Sequence, residues 1–309
     1  MKAAASLAFA TIAATLSGCQ CRPGLPEPQD DTPEDTAKQD TLKDNTGETG
    51  TPPVQGPCTL TEIEPNNNVN DAMPLPTDEY VCGGFGAAVD FDYYRVELVE
   101  DAWLGVFVDA QIRGSLADVT VTVTDTNGFG VERQDDETSR DSHLIFPAPQ
   151  GSYDVWLFDS NLLGGDDFFY ELVVSVAKAP VLENATEIEP NDTSDTAMAL
   201  TDGMVVLAGM KENNESDWYR VDVPAGNHAV TVDLVGYTVG SPGDFTIFYY
   251  PKGLAAAPNI IGSRPTGSRD PLLTFDSAGN TSVWFRVEEL NGKGGPGYWY
   301  ALQVDVEAE

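Results

Sequence analysis

Three oxygen-bearing side chains, Glu62, Glu64 and Asn66, are spaced two residues apart in the run TEIEPNN. Such residues lie on one side of an extended backbone, and Pro65 disfavours a helical conformation for the residue before it. Carboxylate and amide oxygens on one side can converge on a hard cation, and calcium takes about six to eight oxygen ligands. The run therefore predicts a cation site, with Ile63 pointing the opposite way into a core.

Other acids must complete such a site. Asp90 and Asp92 come just before an apolar run, and Asn214, Glu215 and Asp217 hold the same place later in the chain. Both sets are candidate ligands because they carry side-chain oxygens and precede a predicted strand. The alternative is that all these acids form a solvated cap and turn that holds no metal.

The candidate site occurs twice because the chain repeats itself. TEIEPNN at Thr61 returns as TEIEPND at Thr186, 125 residues later, and DYYRV at Asp92 returns as DWYRV at Asp217. Later matches have slightly larger offsets: Val155-Trp156 with Val283-Trp284, and YELVV at 170–174 with YALQV at 300–304. Matches in constant order with small insertions indicate an internal duplication. They predict two domains, residues 58–178 and 183–309, joined by a linker at 179–182.

Each copy reads as a set of short strands. Apolar and polar residues alternate in runs separated by Gly, Asn, Asp and Pro, which predicts half-buried antiparallel strands. In the first copy we expect about eight strands, near residues 80–82, 93–99, 103–109, 119–125, 130–133, 143–146, 153–158 and 168–176. Two sheets packed face to face accommodate that number. The predicted fold class is therefore all-β, with two tandem β-sandwich, jelly-roll-like domains.

Together these motifs resemble the bacterial pre-peptidase C-terminal domain, a β-sandwich module. The resemblance rests on E-x-E-P-N-D/N, D-x-Y-x-V, G-x-Y-x-V and Y-x-L-x-V, and it covers nearly everything after residue 58. Some members of that family bind calcium through the first motif and the acidic loop before the Tyr strand. The resemblance implies a structural calcium ion in each copy, with these candidate ligands: Glu187, Glu189, Asn191, Asp192, Asn214 and Asp217 in the second copy, and Glu62, Glu64, Asn66, Asn67 and Asp92 in the first. The first copy departs from the pattern, since Asn67 replaces an acid and Val89 stands where Asn214 stands.

Aromatic residues are frequent in the predicted strands. Alternation places Tyr94, Tyr170, Tyr219 and Tyr300 on the buried face. It leaves four candidates for ligand binding on the outer face: Tyr93, Phe169, Trp218 and Trp299. These four predict a binding strip for a fibrous protein or a glycan; the alternatives are cross-strand packing and a contact between the two domains.

The first residues carry an export signal. Residues 1–18 combine Lys2 with a short apolar stretch, as expected of a signal peptide. The end of that stretch, Leu16-Ser17-Gly18-Cys19, resembles a bacterial lipobox, which predicts lipidation of Cys19 and attachment to a membrane through acyl chains. Gln20 after the cysteine favours the outer membrane of the bacterial cell envelope. The alternative is an ordinary secretory signal followed by a chance cysteine.

The residues that follow, 19–57, predict a disordered acidic tether rich in Pro and Thr, because they contain almost no large apolar side chains. In an exported chain cysteines oxidise, and Cys58 with Cys82 is the predicted disulfide. Cys21 is left over, either as a free thiol or as an intermolecular bridge. A thiolate metal site is disfavoured because the chain has no C-x-x-C motif and contains only two histidines.

Charge and motifs restrict the function. The chain has 50 acidic and 16 basic residues and a net charge of −34, which excludes nucleic acid as a partner. No G-x-S-x-G, H-E-x-x-H or Walker motif occurs. We therefore expect a non-catalytic, membrane-anchored binding or scaffolding protein whose partner is an extracellular protein or a polysaccharide. The alternatives are an accessory subunit that recruits a separate hydrolase, and a hydrolase with unrecognised carboxylate chemistry.

Overall fold

The computed structural model describes residues 58–125, 130–133, 140–177, 185–250, 260–261 and 269–308. The predicted signal peptide, Cys19, Cys21, the tether before Cys58 and the linker at 179–182 lie outside the described residues. Regular structure in the described part consists of strands and two short 3₁₀ turns, at Gln111–Arg113 and Tyr237–Val239. None of its helical segments is long and apolar enough to cross a membrane.

The strands of the first half form two five-stranded sheets. In chain order they are β1 (Leu60–Thr61), β2 (Met73–Pro74), β3 (Tyr80–Gly84), β4 (Asp92–Leu98), β5 (Ala102–Asp109), β6 (Val119–Asp125), β7 (Gly130–Arg133), β8 (His143–Ala148), β9 (Gly151–Asp159) and β10 (Phe169–Ala177). The sheet orders are β1-β3-β10-β5-β8 and β2-β4-β9-β6-β7.

The second half repeats this arrangement. Its strands are β11 (Ala185–Thr186), β12 (Met198–Leu200), β13 (Val205–Gly209), β14 (Asp217–Asp222), β15 (His228–Val235), β16 (Phe245–Tyr249), β17 (Ile260–Ile261), β18 (Leu272–Asp276), β19 (Ser282–Glu289) and β20 (Trp299–Ala308). The orders β11-β13-β20-β15-β18 and β12-β14-β19-β16-β17 match those of the first half strand for strand. The all-β fold with two sandwich domains is therefore confirmed.

All eight strands predicted for the first copy are present, because their alternating side chains bury one face. In β4, for example, Tyr94, Val96 and Leu98 are buried, whereas Glu97 is exposed. The two shortest strands, β1 and β2, are additions that pair in parallel with β3 and β4. Two-residue strands have too little sequence for a pattern of alternation to reveal them.

The sheet register corrects one match in the repeat. Tyr94 pairs with Val155 in the first half, and its equivalent Tyr219 pairs with Phe285 in the second. Val155 therefore corresponds to Phe285, and Trp156 to Arg286. The sequence match of Val155-Trp156 with Val283-Trp284 is displaced by two residues, a shift that keeps the same face of the strand and so leaves the alternation unchanged.

The predicted disulfide is present: Cys58 and Cys82 are bonded, with their Cα atoms 5.6 Å apart. Cys82 lies in β3, and β1 pairs with the same strand through Leu60 and Val81. The disulfide therefore fastens the chain just before Glu62 to the sheet.

The two sandwiches meet at β8. The backbone N–H of Ile145 donates to the carbonyl of Gly240 over 2.8 Å, and the indole N–H of Trp299 donates to the Ile145 carbonyl. The Trp299 ring lies edge-on against Trp103, with ring centroids 4.7 Å apart. Trp299 lies on the outer face of its sheet, as predicted, but it is only 2% exposed because the first sandwich covers it, so the alternative of a contact between domains is correct for this residue.

Gly240 allows this close approach. Its φ of +101° suits glycine, and an added Cβ would lie 2.9 Å from Cγ1 of Ile145. Gly114, its equivalent in the first sandwich, has a similar φ of +89° and nothing within 4 Å of such a Cβ.

Gly240→Ala is expected to destabilise the chain more than Gly114→Ala. Both substitutions place alanine at positive φ, at a cost of about 1 kcal/mol. Gly240→Ala also crowds Ile145, which adds about 1–3 kcal/mol. Denaturant unfolding of the two variants measures the difference, and equal losses would show that the two sandwiches do not touch here.

Candidate functional site

In the first sandwich, Glu62 is held by donors from three strands. Its Oε1 accepts hydrogen bonds from the hydroxyls of Tyr94 (2.7 Å) and Tyr170 (3.0 Å), and its Oε2 accepts one from the backbone N–H of Gly84 (2.9 Å). The Tyr170 hydroxyl also lies 2.7 Å from Oδ2 of Asp92. These contacts fix two carboxylates on either side of a buried tyrosine pair.

Asn66 completes this cluster. Its amide nitrogen donates to Oε1 of Glu62 (2.7 Å), and its backbone N–H donates to Oε2 of Glu64 (2.9 Å). Carboxylate oxygens of Glu62, Glu64 and Asp92 lie within 4.8 Å of one another. The structure thus brings together four of the five ligands predicted in the first copy.

Two oxygens in the cluster have no donor. Oδ1 of Asn66 and Oδ1 of Asp92 are buried without a hydrogen-bond partner among the described residues, and both side chains are fully buried. A buried polar atom without a partner costs free energy of about 1–3 kcal/mol. A hard cation that accepts both oxygens as ligands would remove this cost, so the donor set fits calcium.

The second sandwich repeats the arrangement. Oε1 of Glu187 accepts from Tyr219 (2.6 Å) and Asn191 (2.8 Å), and Tyr300 donates to Oδ2 of Asp217 (2.6 Å). Oδ1 of Asn191 and Oδ1 of Asp217 are again buried and without a partner in the described part of the chain. The same two atoms are therefore left open in both copies.

Burial, together with the neighbouring acids, raises the pKa values of these carboxyl groups. Burial raises the pKa of Asp92 to about 9, and the negative charge of Glu62 adds to the rise. Burial likewise raises the pKa of Asp217 to about 9, with a further contribution from Glu187. Burial also raises the pKa of Glu64. Without a cation, Asp92 and Asp217 therefore favour the protonated form at neutral pH.

The outer ligands differ between the copies. In the second, Asp192 and Asn214 are exposed and line a cleft of about 490 Å³ together with Glu189, Glu215 and Lys211. The ammonium of Lys211 lies 2.8 Å from Oε1 of Glu189. Asp192 and Asn214 therefore lie at the rim of the cluster and are not buried with Asp217.

In the first copy, Asn67 replaces Asp192 and is exposed, and its amide nitrogen donates to Asp90 in the orientation that satisfies both groups. Val89 and Asn214 have nearly the same φ, +61° and +63°, which confirms that they are equivalent positions. The valine side chain has no oxygen, so the rim of the first copy has fewer side-chain ligands for a cation than the rim of the second.

The predicted inward direction of Ile63 is wrong. Ile63 is 67% exposed, and its equivalent Ile188 is 69% exposed. Glu62 takes the interior position because Tyr94, Tyr170 and Asn66 supply buried donors, so the neighbouring isoleucine faces solvent. The tyrosines themselves were predicted only as core residues; their hydroxyls are a part of the site that alternation of apolar residues does not reveal.

Four aromatic side chains cluster on the outer face of the sheet that contains β4 and β9. Tyr93 and Trp156 are stacked, with ring centroids 5.6 Å apart and an interplanar angle of 8°. Phe158 lies 5.5 Å from Trp156 and 5.6 Å from Phe91. All four are half-buried. Sequence reasoning identified Tyr93 but missed the three neighbours, which only the strand register places beside it.

On the equivalent face of the second sandwich, an arginine side chain lies over the aromatic rings. The guanidinium of Arg286, at the position of Trp156, lies 4.8 Å from the ring centroid of Phe248 and 5.6 Å from that of Trp218. Trp218 stacks with Tyr250 at 5.0 Å.

The four predicted ligand-binding residues do not form one strip. Tyr93 and Trp218 lie on equivalent outer faces, but Phe169 lies in the opposite sheet of the first sandwich and Trp299 is buried between the sandwiches.

Comparisons with known proteins give low similarity. No protein-family model and no curated protein matches the chain. Among solved structures, the chain is similar to the pre-peptidase C-terminal domain of a collagenase from Bacillus anthracis, with 13% identity, a TM-score of 0.27, and coverage of 38% of this chain and 100% of that one. It is also similar to tandem CBM51 modules of a family 98 glycoside hydrolase from Streptococcus pneumoniae, with 9% identity, a TM-score of 0.23, and coverage of 76% and 85%. The CUB1-EGF-CUB2 domain of human MASP-1/3 gives 10% identity, a TM-score of 0.20, and coverage of 74% and 94%.

The raised pKa values predict how stability depends on pH. In chelator, the folded chain keeps a proton on Asp92 and Asp217 up to about pH 9, whereas the unfolded chain loses both near a pKa of about 3.9. The native state therefore binds more protons, and the free energy of unfolding should fall as the pH rises from roughly 4 to 9. Thermal unfolding in EGTA across this range measures the slope.

The double variant Asp92→Asn, Asp217→Asn should flatten that slope, because neither side chain titrates. Asp166→Asn, which removes an exposed carboxylate, should leave it unchanged. A wild-type stability that rises with pH in chelator would contradict the burial of these acids in protonated form.

Proposed function

We propose that this chain is a non-catalytic binding or scaffolding protein whose two β-sandwiches are each stabilised by a calcium ion. The observation that carries the proposal is the pair of buried, unpartnered oxygens in each copy, one from an asparagine and one from an aspartate. The same two atoms are open at equivalent positions of a duplicated fold, which favours a shared ligand over an accident of one site.

The charges in the cluster support a divalent cation. Glu62, Glu64 and Asp92 bring three carboxylates together, and Glu187, Glu189 and Asp217 do the same in the second copy. Calcium prefers oxygen ligands and would stabilise the ionised form of all three. With the asparagine oxygen, each copy offers four side-chain ligands, and water completes the coordination.

The fold and the motifs support a binding role. The catalytic motifs sought in the sequence are absent, and the aromatic face around Tyr93 and Trp156 offers a surface for a protein or glycan ligand. We place the protein in the bacterial cell envelope, anchored by lipid on Cys19 in the outer membrane, with the sandwiches held away from the lipid by residues 19–57. The lipobox-like run before Cys19 supports this placement.

Calcium in the millimolar range should raise the melting temperature of the chain by several degrees relative to EGTA, because a ligand that binds the native state alone stabilises it by mass action. Isothermal titration should show two ions per chain, with weaker binding in the first copy, where Asn67 and Val89 reduce the rim. The double variant Glu64→Ala, Glu189→Ala should lose most of the shift.

Glu97→Ala is the matched control for that experiment, because Glu97 is an exposed acid that contacts Ser152 outside the cluster. An equal melting temperature in calcium and EGTA, for the wild-type chain at neutral pH, would remove calcium from the proposal.

An array of polysaccharides and extracellular matrix proteins tests the binding role. Tyr93→Ala and Trp156→Ala should each weaken capture of the bound ligand by about tenfold, because each removes a ring from the half-buried aromatic cluster on the outer face. Trp218→Ala is the comparison, since its ring is already covered by Arg286. Equal losses in all three variants would contradict a ligand on this face.

A further inference from the structure

Three loops at the cation-site end of the first sandwich expose aliphatic side chains. The exposed fractions are 58% for Val89, 63% for Ile112, 55% for Leu116, 40% for Leu162 and 51% for Leu163. They lie in the loops 86–91, 110–118 and 160–168. Isolated exposed aliphatics are ordinary, but these five lie on three loops that are joined by backbone hydrogen bonds, and we call the set the loop-end patch.

The three loops are held together by backbone contacts. The N–H of Val89 donates to the Leu162 carbonyl (3.2 Å), and the N–H of Leu116 donates to the Asp167 carbonyl (2.9 Å). Gly164 lies so close to the 86–91 loop that an added Cβ would be 2.0 Å from the Ala87 carbonyl oxygen. The patch therefore sits on a fixed framework.

Two members of the patch occupy backbone conformations that their side chains disfavour. Val89 has φ +61° and Leu162 has φ +55°. Branched side chains rarely adopt this region, which costs about 1 kcal/mol or more. The equivalent residues of the second sandwich, Asn214 and Gly292, have φ +63° and +65° and suit it well. The first sandwich thus keeps apolar side chains where the fold favours other residues.

The other three members of the patch are also replaced by non-aliphatic or less extended residues in the second sandwich. Matching hydrogen bonds identify the equivalents of Leu163, Ile112 and Leu116 as Lys293, Thr238 and Pro242. Asp159 accepts the N–H of Leu163 as Glu289 accepts that of Lys293. Asp141 accepts the N–H of Ile112 as Asp270 accepts that of Thr238. Leu116 corresponds to Pro242, because the hydroxyl of the residue before each, Ser115 or Ser241, accepts the backbone N–H of the residue after it.

The surroundings of the patch are acidic. Glu64, Asp166 and Asp167 are exposed nearby, and Asp90 follows Val89 directly. The basic residue of the 110–118 loop, Arg113, is paired with Glu171 at 2.9 Å. An acidic rim repels anionic lipid headgroups and attracts cationic side chains.

We propose that the loop-end patch is a docking surface for a protein segment that presents aliphatic side chains flanked by lysine or arginine. Aliphatic contact buries the exposed tips, and the basic flanks complement Asp90, Asp166 and Asp167. The disfavoured conformations of Val89 and Leu162 are retained because the second sandwich's residues would remove the apolar contact. The surface borders the proposed calcium site at Glu64 and Val89, but none of its five aliphatic side chains is a proposed calcium ligand, and it does not include the aromatic face.

The probes are two short fluorescent peptides of identical leucine and lysine composition. One is ordered to form an amphipathic helix, and the other is scrambled, so the two carry the same charge. The full chain at physiological ionic strength should bind the amphipathic peptide at least about tenfold more tightly than the scrambled one, as measured by fluorescence anisotropy. Binding should persist in both calcium and EGTA, so failure of the calcium proposal would leave this result intact.

The triple variant Val89→Asn, Ile112→Thr, Leu162→Gly installs the residues of the second sandwich without changing the charge. It should weaken binding of the amphipathic peptide by about tenfold or more. Val99→Asn is the matched control: Val99 is 83% exposed but follows the opposite end of β4, so its loss should not affect binding.

Val89→Asn alone should weaken binding while it maintains or raises the melting temperature, because asparagine tolerates φ near +60°. This single variant also serves if the triple variant unfolds. Unchanged peptide binding in these variants, equal affinity for the scrambled peptide, or patch-dependent binding to phosphatidylcholine or phosphatidylglycerol vesicles would each overturn the proposal, the last by assigning the surface to lipid.

Discussion

The structure depends on burying acidic side chains at one end of each sandwich. Carboxylates are costly to bury, and here Asp92 and Asp217 are fully buried without a basic partner in the described chain. Pairs of tyrosine hydroxyls make this possible, since Tyr94 and Tyr170 meet at 2.6 Å and Tyr219 and Tyr300 at 2.7 Å while bridging the acids. These tyrosines come from facing sheets, so the same hydrogen bonds that satisfy the acids also link the two sheets of each sandwich.

The duplicated framework has kept this interior and changed its surfaces. The buried network is built from equivalent residues in both copies, whereas the outer face exchanges Trp156 for Arg286 and the loops exchange aliphatic residues for polar residues, glycine or proline. Phe91 and Phe158 are in ring contact in the first copy, and in the second their equivalents Ser216 and Glu288 form a hydrogen bond of 2.7 Å. Duplication thus provided two scaffolds of equal architecture with distinct exteriors.

Much of the fold could be predicted from the sequence, because strands bury one face and alternation records this directly. The convergence of Glu62, Glu64, Asn66 and Asp92 was also predictable from their spacing and from the repeat. Three features were not. Ile63 faces solvent because buried donors attract Glu62 inward, the tyrosine hydroxyls act as site residues while their rings belong to the core, and Trp299 is buried by a contact between domains. Each depends on which strands lie side by side, and local sequence does not contain that information.

The two sandwiches contribute different surfaces to the contact between them. It uses Trp103 and Ile145 of the first copy, and the register places Ala229 and Thr274 at the corresponding positions of the second. Ala229 is half-buried and Thr274 is exposed, and neither can reproduce the contact that Trp103 makes with Trp299. The contact between the sandwiches is therefore one-sided, because the surface of β5 and β8 that receives Trp299 has no counterpart on β15 and β18.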